Sequence, residues 1–145
     1  MSGRRQEKKT RDNNNYLFRN ILIKNDGTAA IADFGLAVRY NSDTESLDIS
    51  PNTRVGTRRY MAPEILSNSI NTNCFESFKA ADIYCLGLVF WEVGRRTVSS
   101  EVKAVEEYLL PYGDVVPSDP SHQDMYQAVC LKSIRPQHPE RWIDW

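Results

Sequence analysis

The residues of this chain that could do chemistry are mostly oxygen carriers, and they gather between positions 20 and 64. Asp33 heads the triplet Asp33-Phe34-Gly35, directly after the apolar Ile31-Ala32. A carboxylate on so short and stiff an arm is the donor a hard cation takes. The plainer use of such an Asp is to start a turn after a strand. Asn20 stands where an apolar run begins, a place where Asn also serves as a simple cap. Between Val38 and Arg54 the chain is polar and offers the phosphorylatable hydroxyls of Ser42, Thr44, Ser46 and Ser50, any of which could equally be a solvated loop hydroxyl. Thr57 follows, and then Ala62-Pro63-Glu64. Neither Asp-Phe-Gly nor Ala-Pro-Glu is specific alone. Their order, about thirty residues apart, is what carries information.

These groups need elements to hold them. Asn20-Ile21-Leu22-Ile23-Lys24 reads as a strand, Asn25-Asp26-Gly27 as a turn whose residues tolerate positive φ, and Thr28 to Ala32 as the returning strand. Asp33 then stands at the mouth of a β-hairpin, with Asn20 at the start of its first strand. Ala80 to Val93 is apolar nearly all round and predicts a helix buried in a core, with Asp82 near its start favouring the helix dipole. At fourteen residues it is too short to cross a bilayer. Arg95 to Val105 reads as a loop, and the three prolines Pro111, Pro117 and Pro120 fix an irregular connection. Ser121 is the expected cap of a last helix from His122 to Leu131, with Met125, Ala128 and Val129 inward.

Composition narrows the field. With 41% hydrophobic and 26% charged residues among 145, the chain has the make-up of a globular protein. A net charge of -1 argues against a dedicated nucleic-acid binder. Cys74, Cys85 and Cys130 are odd in number and scattered, which gives neither a disulfide framework nor metal-ligand spacing and fits a reducing compartment. His122 and His138 sit near prolines in polar surroundings, as solvated loop residues. No apolar run reaches the length of a membrane span, and no signal peptide is evident. Residues 1–19 hold six basic residues and no apolar residue between Met1 and Tyr16, and read as a basic, disordered tail distinct from residues 20–145.

The spacing of Asp33-Phe34-Gly35 and Ala62-Pro63-Glu64 resembles the activation segment of a eukaryotic protein kinase. Gly56-Thr57 with Tyr60 resembles the serine/threonine rather than the tyrosine class. The resemblance narrows further. Asn41-Ser42-Asp43-Thr44, Asn52 to Glu64, Ala81-Asp82-Ile83-Tyr84, Gly87 to Glu92 and Val115 to Ser121 look like the type I serine/threonine kinase receptors of the TGF-β superfamily, and the loop before Gly56 leans to the bone-morphogenetic-protein branch.

Several expectations follow from that resemblance. The fold is α+β: a protein-kinase-like large (C-terminal) lobe, mainly helical, with a β-hairpin and an activation segment. A complete kinase domain is roughly twice as long as this chain, so the lobe is incomplete. Asn20 and Asp33 take the two metal-ligand positions, for the Mg²⁺ that bridges the phosphates of ATP. Gly35 lets the loop backbone move. Thr57 lies beside the substrate hydroxyl. Glu64 ties the segment to the lobe, and Asp82 reaches the backbone of the catalytic loop. The parent would be a single-pass receptor, its kinase on the cytoplasmic side, phosphorylating serines of Smad proteins and working with a type II receptor.

The departures are equally specific. The family's catalytic loop reads His-Arg-Asp-Leu-Lys-x-x-Asn. Counted back from Asn20, the base position holds Asn15, the Lys position holds Leu17, and Asn13 and Asn14 replace His and Arg. Asn cannot accept a hydroxyl proton as a carboxylate does, and Leu cannot neutralise a phosphate. No glycine-rich loop, anchoring Lys or partner Glu of a small lobe is found in these residues, so no intact catalytic residue is assigned. Two functions stay open: a piece of a receptor kinase, inactive alone, and a non-catalytic, pseudokinase-like interaction module that binds through the surface around Tyr108 to Leu131. With part of its cover missing, the central helix is expected to leave apolar patches exposed.

Overall fold

In the computed structural model, residues 20–49, 56–98, 104–139 and 142 are described. The expected basic tail and the catalytic-loop positions Asn13 to Leu17 lie outside them.

Two short antiparallel hairpins come first. Strands β1 (Ile21–Ile23) and β2 (Ala29–Ile31) pair in the register Ile21 with Ile31, Leu22 with Ala30 and Ile23 with Ala29. The turn forms as Asn25-Asp26-Gly27 predicts. Gly27 takes φ +81°, which a side chain would resist, and the Asp26 carboxylate accepts bonds from the backbone N–H and the hydroxyl of Thr28. The hydroxyl bond, then the backbone one, hold that carboxyl below its usual pKa.

Strands β3 (Arg39–Asn41) and β4 (Ser46–Asp48) form the second hairpin, within the polar run from Val38 to Arg54. Its turn is made by a side chain. Asn41 Oδ1 accepts the N–H groups of Asp43 and Thr44 at 2.9 and 3.3 Å, and the Thr44 and Ser46 hydroxyls bond each other at 2.7 Å. The Tyr40 ring stacks on Phe75 with centroids 5.1 Å apart.

The helical part is built on a core of Tyr60, Met61, Leu66, Leu88, Val89, Tyr112, Met125, Ala128 and Val129. A 3-10 turn at Arg58–Tyr60 leads into the short helix α1 (Pro63–Leu66), which starts with proline at its first position, where a missing N–H costs nothing. Helix α2 runs from Phe75 to Arg96. It is therefore longer at both ends than Ala80 to Val93, and takes two residues from the expected loop at Arg95. It is also not buried all round. Leu88, Val89, Trp91 and Glu92 are buried, while Ile83, Phe90 and Val93 are 66%, 63% and 50% exposed. The described residues cover one face of the helix and leave the other open, which meets the expectation of exposed apolar patches and corrects that of a helix buried on every side.

No helix or strand occurs in the described residues between Thr97 and Ser121, and Pro111 and Pro120 are buried within that connection. Helix α3 (His122–Tyr126) begins with the expected cap: Ser121 Oγ accepts from the Asp124 N–H while the Asp124 carboxylate accepts from Ser121, a reciprocal capping box. It continues as a π-helical turn, Gln127–Leu131. Met125, Ala128 and Val129 face inward, at 0%, 5% and 1% exposure. His122 is the first residue of α3, where the expected helix begins, and it is half-buried rather than a solvated loop residue. His138 is exposed, as expected.

Candidate functional site

The first hairpin brings two sequence-predicted residues to one end. The Ala32 N–H donates to the Asn20 carbonyl at 2.7 Å, one step beyond the last pair of the ladder. Asn20 and Asp33 therefore flank the open end of the hairpin. Asp33 itself has φ 64°, in the left-handed region that Asp enters more readily than most residues. Its carboxylate accepts only a long bond, 3.4 Å, from the Gly35 N–H, and makes no ion pair among the described residues. Phe34 and Leu36 are exposed, at 69% and 58%.

This donor set fits a hard cation. One carboxylate and one side-chain amide offer oxygen, with neither imidazole nor thiolate in the set. No group of three or more His, Cys, Asp or Glu side chains that could hold a metal occurs among the described residues. Two protein oxygens would leave most of an octahedral shell of about six ligands to water and phosphate, the usual arrangement for Mg²⁺.

The second part of the site is the segment from Gly56 to Leu66. Gly56 takes φ +110°, and the Thr57 carbonyl accepts the N–H of Tyr60 at 3.0 Å to close the 3-10 turn. Thr57 is half-buried, and its hydroxyl makes no capping bond. The catalytic-loop positions it would meet lie outside the described residues. Arg59 is 2% exposed, yet its guanidinium is well placed: Nη1 donates to the Pro111 carbonyl at 2.9 Å, and Nη2 donates to the Pro117 and Ser118 carbonyls at 2.6 and 2.9 Å. Burial holds its pKa below the ordinary value. Next to it the Tyr60 hydroxyl donates to Glu92 Oε1 on α2, with Tyr60 at 1% and Glu92 at 4% exposure. Burial pushes the Tyr60 hydroxyl up strongly and lifts the Glu92 carboxyl to about 7, against the downward pull of the Tyr60 bond and the Arg59 charge.

Glu64 is half-buried at the start of α1, and its carbonyl receives the N–H groups of Ser69 and Ile70. Cys130 Sγ lies 3.4 Å from the Pro63 carbonyl, which fixes the segment to the last helical turn. Asp82 is exposed two turns into α2, so the expected position near the helix start is corrected by the true start at Phe75. Partial burial raises its carboxyl above the usual range. The catalytic-loop backbone assigned to it falls outside the described residues.

Arg59 and Glu92 are functional-segment residues the sequence reading did not single out. Glu92 carried a signal: one acid inside the apolar run Leu86 to Val93 needs a buried partner. Arg59 carried none, because a single Arg beside Arg58 looks like surface charge.

Residues 18–110 match the protein kinase domain family. The TGF-beta receptor type-1 of Homo sapiens and of Rattus norvegicus are each 57% identical to the chain over 124 residues, and the activin receptor type-1B of Homo sapiens is 56% identical over the same length. Each alignment covers 86% of this chain and 24% of the relative, so the chain spans about a quarter of the length of the curated relatives it matches. The chain belongs to the protein kinase domain family, as a stretch of large lobe of the kind found in the type I receptors of the TGF-β superfamily.

Proposed function

We propose that this chain is part of a receptor serine/threonine kinase of the TGF-β/activin kind, whose whole form transfers the γ-phosphate of ATP to serines of Smad proteins. The observation that carries the reading is the joint geometry of Asp33 at the open end of a hairpin and a buried, anchored segment from Gly56 to Leu66. The 57% identity to TGF-beta receptor type-1 supports it. Asn20 and Asp33 would hold Mg²⁺, which when bound neutralises charge on the phosphates of ATP. Thr57 and the fixed turn after it would position the acceptor hydroxyl, and a type II receptor would be the signalling partner. The relatives favour the TGF-β/activin branch over the bone-morphogenetic-protein branch suggested by residues 41–55, of which 50–55 lie outside the described residues. The parent would act at the cytoplasmic face of a membrane. Among the described residues no helix is long and apolar enough to cross one.

On its own the chain transfers no phosphate. Asn15 at the base position lacks the carboxylate that takes the hydroxyl proton, and Leu17 lacks the cation that meets the γ-phosphate. The test is phosphate incorporation into a Smad substrate by the 145-residue chain with ATP and Mg²⁺, beside Asp33→Ala. Neither is expected to rise above the blank, whereas the same substitution in the whole receptor silences it. Incorporation that Asp33→Ala abolishes would overturn the reading.

A second reading, a non-catalytic interaction module, draws on Tyr108, Val115 and Leu131, which are 63%, 45% and 63% exposed along the expected binding surface. Retention of the chain by immobilised Smad or type II receptor, lost with Tyr108→Ser and Leu131→Ser, would favour it.

A further inference from the structure

The contact between Tyr60 and Glu92 joins two elements that hold different parts of the molecule. Tyr60 belongs to the segment that ends in α1, and Glu92 to the buried face of α2. The bond spans 32 positions and lies inside the core. Glu92 is unevenly served: Oε1 accepts the Tyr60 hydroxyl, while Oε2 is buried with no hydrogen-bond partner among the described residues. An orphan oxygen is far cheaper to bury on a neutral acid than on a carboxylate. The neighbouring cation does not neutralise Glu92 by direct contact, because the Arg59 guanidinium donates to three carbonyls on the far connection.

We propose that Glu92 is a proton-operated latch: when protonated it is buried cheaply and lets the Arg58–Leu66 segment close on α2, and when ionised its buried, unpartnered Oε2 penalises that packing, although the Tyr60 bond to Oε1 itself strengthens. The charged and titratable groups around it are few. Arg59 and Tyr60 face it from the segment, Tyr108 and Asp119 act on that pair from the proline-rich connection, and Arg95, ion-paired with Glu106, lies one turn along α2. Burial is the largest influence on Glu92 and lifts it to about 7, from an ordinary value of 4.5.

The sign follows. A carboxyl that binds its proton more tightly in the folded chain favours folding at low pH. That advantage is complete below pH 4.5, shrinks as pH rises, and is gone above about 7. The corresponding change in the folding equilibrium is of the order of a hundredfold across that window. Glu92→Gln keeps a hydrogen-bond acceptor for Tyr60 and abolishes the ionisation. Tyr60→Phe removes the bond that favours the charged form, so it should move the titration upward.

The experiment is a carboxyl carbon-13 NMR titration of Glu92 in the full 145-residue chain, paired with denaturant unfolding at pH 5.5 and 8.5. A midpoint near 7, an upward shift in Tyr60→Phe, and a stability loss towards pH 8.5 that Glu92→Gln lacks would establish the latch. A wild-type midpoint below 5, or the same pH dependence in Glu92→Gln as in wild type, would overturn it. If either variant does not fold, the wild-type midpoint alone decides.

Discussion

The hairpin that carries Asp33 and the segment from Gly56 to Leu66 are held in opposite ways. The hairpin is held mainly by its own backbone ladder and a three-residue turn; Ile21 packs against the core, while Leu22, Ile23 and Ile31 are 52%, 70% and 69% exposed. The segment has no ladder at all. It is held by what it buries, with Arg59, Tyr60 and Leu66 at 2%, 1% and 1% exposure and side-chain bonds that reach across 32 to 59 positions. Local hydrogen bonding can therefore place the Asp33 carboxylate with little help from the core. The segment from Gly56 to Leu66 takes its place from the core instead.

Substitutions can break or sharpen that contrast. The largest effect should come from Tyr60→Ala, which empties a ring-sized site and strips Glu92 of its donor. A loss of about 4 kcal/mol is expected in denaturant unfolding. Arg59→Met keeps the apolar stem and abandons three carbonyls, with an expected loss of about 2–3 kcal/mol by the same measurement. Ser121→Ala removes the cap of α3 and should cost about 1 kcal/mol. Ile23→Thr on the first hairpin should change stability by less than about 0.5 kcal/mol. A cost as large as that at Tyr60 would mean the hairpin is packed like the segment and the contrast fails.

What the sequence revealed follows the same divide. The first hairpin was legible because Asn25-Asp26-Gly27 names its own turn, and the last helix because Ser121 names its own cap. Both signals are local. The start of α2 was not legible, because the N-cap position is Cys74, which offers no side-chain cap, and the first turn mixes Phe75 with Glu76 and Ser77. The second hairpin was missed because Arg39 to Asp48 lacks apolar alternation and is turned by the Asn41 side chain instead. The π-helical turn at Gln127–Leu131 has no sequence mark. For the site, residue type and spacing picked out Asn20, Asp33, Thr57 and Glu64. The anchoring of the segment by Arg59 and Glu92 depends on groups far along the chain, beyond the reach of any window.

Arg59 also settles a donor deficit in the connection it touches. A proline carries a carbonyl but no N–H, so a stretch with Pro111, Pro117 and Pro120 has more acceptors than donors and cannot satisfy all of its carbonyls from within. The guanidinium, with its fork of five N–H groups, supplies three of the missing bonds from a single side chain. The irregular path of that connection is thus written partly in the activation segment. A chain with lysine at position 59 would keep the charge but present one compact head with three donors, too narrow to span carbonyls at 111 and at 117–118 together.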